Sequence, residues 1–146
     1  MKAQAIILGI WVLSGVPAVA RGFSGDYSLS FYRGTHREFV GTVCAQLTEN
    51  DSYPYFRISG TWTFTDLPGW SGEYVLDHHK LRLFATGSFG GQTQAMAIHV
   101  EGTTDGSRGG WDHYFPTIPP QPLEGGLIIM NVGCTGAPTR HFLHFR

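Results

Sequence analysis

Seven histidines and eleven acidic residues are the side chains of this 146-residue chain that could move protons or hold a metal. The densest grouping is Trp111-Asp112-His113-Tyr114, read as a loop segment just ahead of a proline-rich stretch. An Asp and a His this close can orient one another for proton transfer. His99 stands on the face of Ala95 and Ala97, opposite Met96, Ile98 and Val100. Small residues with one imidazole either line a cavity or face solvent. Tyr74 adds a phenolic donor, so His99, His113 and Tyr74 are the catalytic candidates. Trp62, Phe64, Trp111 and Tyr114 offer aromatic surface to a ligand, although core packing is the competing role for Trp62 and Phe64.

Other chemistries lack their residues. His78-His79 would point to opposite faces of a strand, as would His141 and His144, and no third ligand has a metal-site spacing. No metal or cofactor is therefore expected. No Gly-x-Ser-x-Gly elbow, P-loop or dinucleotide fingerprint is present, and Gly87 to Gly91 reads as a hairpin connection. A paired-carboxylate hydrolase stays open, because sequence does not say which acids meet.

The elements that must position these residues are strands, since alternation at period two recurs and no window holds a helical period. Tyr27, Leu29 and Phe31 share one face of a first strand, and Arg37 to Leu47 can form a second. Phe56, Ile58, Gly60, Trp62 and Phe64 alternate with Arg57, Ser59, Thr61 and Thr63 in the clearest strand of the chain. Glu73 to Asp77 and Leu81 to Thr86 flank a polar turn as a hairpin, and Gln92 to Glu101 alternates again. Leu127 to Val132 and Thr139 to Phe145 complete about eight strands. Such spacing indicates an all-β fold, a single antiparallel barrel or, alternatively, a β-sandwich. Pro116 to Pro122 holds four prolines and reads as a stiff loop. Ser-Gly-x-aromatic occurs at Ser24 to Tyr27, Ser59 to Trp62 and Ser71 to Tyr74, a glycine followed by a ring that covers the gap.

Composition bounds the rest. The chain is 42 % hydrophobic, 14 % aromatic and 14 % charged, with 20 glycines, which excludes charge-driven disorder and an Ala/Glu/Lys/Leu bundle. A net charge of −1 leaves no basic face for nucleic acid. Lys2, the apolar run Ala5 to Leu13 and Ala18-Val19-Ala20 match a signal peptide over 1–20, leaving a β domain over 21–146 that is secreted or lumenal. No later stretch is long enough to span a membrane. In an oxidising compartment Cys44 and Cys134 pair, and closing that loop removes about 4–5 kcal/mol of unfolded-state freedom. Asn50-Asp51-Ser52, in a presumed polar loop, matches a glycosylation acceptor.

Ser59-Gly60-Thr61-Trp62 resembles the Gly-x-Trp signature of lipocalins and the related strand of avidins, which implies a calycin-like barrel with a ligand cavity. Length, leader, one cysteine pair and aromatic strands are also similar to the small secretory β-barrel cyclases of fungal natural-product pathways, including hetero-Diels–Alderases. That likeness implies a cofactor-independent cyclase or isomerase acting on a small apolar or aromatic molecule. Such an enzyme needs reacting ends held close and a donor where charge develops. The alternative is a non-enzymatic binder: a lipophile carrier, a carbohydrate-binding module or an effector. Enclosed aromatics indicate a cyclase or a small-ligand carrier, and exposed planar ones a polysaccharide binder. Oligomeric state is not legible.

Overall fold

Alternating side chains build every element of the computed structural model, which describes residues 23–53 and 57–134, with backbone alone over 51–53. In chain order the strands are β1 (Gly25–Arg33), β2 (Glu38–Tyr53), β3 (Arg57–Phe64) and β4 (Ser71–Asp77). They continue as β5 (Lys80–Phe89), β6 (Gln92–Glu101), β7 (Ser107–Phe115) and β8 (Gln121–Val132). Each pairs antiparallel with the next, and β8 returns to β1 through Leu29↔Met130 and Phe31↔Ile128. The sheet closes as an eight-stranded up-and-down barrel, as the barrel reading expected, and the sandwich alternative is set aside. Closure leaves no edge strand to be protected. The Cys44–Cys134 disulfide ties β2 to the chain leaving β8, beside the β1–β8 seam. Among the described residues no helix is long and apolar enough to cross a membrane.

An eight-stranded barrel is just wide enough for side chains to fill or for one small ligand. Here aromatic rings occupy the interior. Trp62, Phe64, Phe31 and Trp111 form a run of edge contacts with ring centroids 4.9, 6.3 and 5.0 Å apart. Each such pair stabilises by about 0.5–1.5 kcal/mol beyond the area it buries. Their bulk fits because glycine stands opposite: Phe31↔Gly41, Trp62↔Gly72, Tyr74↔Gly60 and Trp111↔Gly126. Two copies of Ser-Gly-x-aromatic thus pair reciprocally, each ring lying across from the other copy's glycine. At Gly72 an added Cβ would run into Phe84 O, the same carbonyl that accepts the Trp62 indole N–H at 3.3 Å. Gly126 does the same beside Tyr32 O, which accepts the Trp111 indole N–H at 3.0 Å.

Three local readings change. Trp111 to Tyr114 is not a loop rim but part of β7, whose alternation is hidden because Gly109 and Gly110 leave both faces blank. Those glycines serve packing, since a Cβ at Gly109 would meet His99 O and one at Gly110 the His99 ring. The second strand runs on to Tyr53, so Asn50 lies in β2 rather than in a loop. It is the exposed residue of a bulge between Glu49 and Asp51, which leaves it outside the ladder. The proline loop is shorter than Pro116 to Pro122, because Pro122 joins β8 opposite Tyr114, where the register shifts. The strand expected over 139–145, with His141 and His144, lies outside the described residues, as does the leader over 1–20.

Candidate functional site

Two places gather chemistry, one on each face of the barrel wall. Inside, β7 points His113 into the core near one barrel end, at 2 % exposure. Its Nδ1 lies 3.3 Å from Glu124 Oε2 on β8 and its Nε2 2.6 Å from Gln94 Oε1 on β6. Glu124 Oε1 accepts from Arg33 Nε at 2.8 Å, and Trp70 sets its ring at 77° to the imidazole, 5.6 Å away. Burial by itself would raise the Glu124 carboxyl. Hydrogen bonds from His113 and Arg33, with their charges, outweigh that and hold it below the usual carboxylate range. An ionised Glu124 accepts only, so Nδ1–H donates to it. Gln94 presents its carbonyl to a protonated Nε2, or its amide N–H to a bare one after a flip.

The Asp112–His113 pairing does not form, because adjacent strand residues point to opposite faces. Glu124, directly across in register, takes the place expected of Asp112. Tyr74 makes its contacts elsewhere. Its hydroxyl donates to Phe23 O at 2.9 Å, and burial, then the Glu49 carboxylate and Tyr27, push the phenol up to about 12. Trp62, Phe64 and Trp111 belong to the aromatic interior described above, and Tyr114 is half-buried opposite Ala95.

Outside, a groove of about 850 Å³ runs over β4 to β7. Register places Glu73, Phe84, Ala97 and Asp112 in one row across it, with Val75, Arg82, His99 and Gly110 in the next. The small Ala97 leaves the depression, and the His99 ring leans over Gly110 at its side. Phe84 is 49 % exposed, beside exposed Glu73, Arg82, His99 and Asp112. Among the described residues none of those four charged or titratable groups has an ion-pair partner within the protein. His99, expected on a cavity-lining or a solvent-facing surface, is thus exposed and lines an open groove.

The structure therefore brings His99 and Asp112 together outside, and His113 near Trp70 inside, without joining the two sets. Phe84 and Arg82 were missed. Their signal was present in Leu81 to Thr86, where an aromatic interrupts an otherwise polar face. Gln94, Arg33 and Glu124 had no local signal, because they meet His113 or one another only through side-chain contacts between separate strands. Among the described residues no group of three or more His, Cys, Asp or Glu side chains could hold a metal ion. Comparison of this chain with protein-family models, with curated proteins and with solved structures finds no match.

Proposed function

We propose that this chain is a secretory-pathway β-barrel that binds a small organic molecule on its outer wall, as a binder rather than an enzyme. The carrying observation is the groove over β4 to β7, where an exposed ring and four polar groups, unpaired among the described residues, surround a depression of about 850 Å³. The filled interior supports the same choice, since Trp62, Phe31 and Trp111 take the space an enclosed ligand would use. Export rests on the leader-like residues 1–20 and on the Cys44–Cys134 disulfide, with Asn50 glycosylated where the host glycosylates. Isotope-labelled protein titrated with a fragment library tests the reading. Amide shifts clustered at Glu73, Phe84, Ala97 and His99 are expected. A library that leaves all of them unmoved overturns it.

A second reading keeps the barrel as a cofactor-independent cyclase or isomerase related to lipocalin-like or fungal barrel cyclases. The buried imidazole between Glu124 and Gln94 favours it, because such a group can hold or pass a proton next to aromatic rings. Native mass spectrometry separates the two. An apolar molecule that co-purifies and leaves only on denaturation supports this reading over the first.

A further inference from the structure

We propose that the ligand of the outer groove is a neutral glycan, with one pyranose ring seated against Phe84 and hydroxyls held by Glu73 and Asp112. This rests on the outer-wall site argued above. The chemistry of the lining selects the class. A lipophile needs an apolar lining, and a polyanion needs a surplus of cations. The groove is neither wholly apolar nor cationic: Val75, Phe84 and Ala97 supply apolar surface, while two carboxylates, one guanidinium and one imidazole stand around it. Ionised carboxylates only accept hydrogen bonds, and Arg82 only donates. Without internal partners, these groups call for a ligand that carries donors and acceptors around an apolar face. A pyranose has that form, with C–H faces for the ring and hydroxyls at its rim.

Geometry agrees. Phe84 stands between Glu73 and Ala97 in register, so the small Ala97 leaves the β6 side of its ring uncovered. From Glu73 to Asp112 the row crosses three strand spacings, about 14 Å. That length takes a short oligosaccharide lying across the strands. Arg82 and His99 lie in the next row, where they serve as donors to the outer hydroxyls.

Cellohexaose, chitohexaose, laminarihexaose and mannohexaose are titrated into isotope-labelled protein, beside a galacturonate hexamer and an anilinonaphthalene sulfonate probe. At least one neutral glycan is expected to shift amides of β4 to β7. F84A should weaken it by about tenfold or more, and E73Q and D112N several-fold each. F84L provides the same test should F84A lose the native spectrum. Groove shifts produced only by the uronate or the apolar probe overturn the glycan and leave the outer site standing. Neutral glycan binding that F84A or F84L leaves unchanged overturns the assignment to Phe84 and with it the proposal. Groove amides that move with no probe overturn the glycan, and the fragment library then decides the outer site by itself.

Discussion

His113 and His99 sit on neighbouring strands, β7 and β6, and face opposite ways through the same wall. The inner imidazole has both ring nitrogens within reach of partners, and its partner Glu124 is held in turn by Arg33. The outer one lies beside Arg82 and Asp112 without pairing to either among the described residues. Burial makes the difference. An unpaired polar atom is costly where water is excluded and nearly free where water solvates it. The inner wall therefore reads as fold-determining polarity and the outer wall as polarity left for something else.

The contrast breaks most sharply at the rings. Trp62→Ala should cost about 3–5 kcal/mol in urea denaturation, and a loss under about 1 kcal/mol would mean a loosely filled interior. His113→Ala comes next, at about 1–3 kcal/mol, because it removes the buried hydrogen bonds to Gln94 and Glu124. Tyr74→Phe removes one bond to Phe23 O and should cost about 1 kcal/mol at neutral pH. Its pH signature is the sharper readout. The folded phenol is raised, so the stability it contributes is whole below its ordinary value of 10.0 and fades as pH climbs toward about 12. Tyr74→Phe should flatten the alkaline limb of a Tm-against-pH curve over that window. Glu124 has the opposite sign. Its depressed value gives stability present above the ordinary 4.5 and lost as pH falls further. Glu124→Gln should flatten the acid limb, and an unchanged acid limb would remove Glu124 from the linkage. The smallest effect belongs to His99→Ala, which should change stability by no more than about 0.5 kcal/mol.

Much of this was legible in the sequence, for a physical reason. Strands with one buried face write their alternation plainly, as Tyr27-Leu29-Phe31 and Gly60-Trp62-Phe64 do. The barrel and its inward rings followed from that. β7 was illegible because glycines blank its pattern, and Asn50 because a bulge in a polar run looks like a loop. Sites on this fold are harder to read, since they form across strands. His113 meets Glu124 only through the β7–β8 register, and Phe84 shares a groove with Asp112 only because Ala97 stands between them on β6. Local spacing carries the face of a residue but not its cross-strand neighbour.

The reciprocal glycine–aromatic pairs also bear on how β3 finds β4. Natively Trp62 lies across from Gly72 and Tyr74 from Gly60. Sliding one strand by two residues keeps every side chain on its proper face, so hydrophobicity alone would not reject it. One such slip brings Trp62 against Tyr74, and the other brings it against Trp70, with Gly60 then facing Gly72. Either error crowds two large rings at one level of a narrow barrel or leaves a gap at the next. The two short motifs act together as an alignment key, which admits the native pairing and penalises both of its nearest competitors.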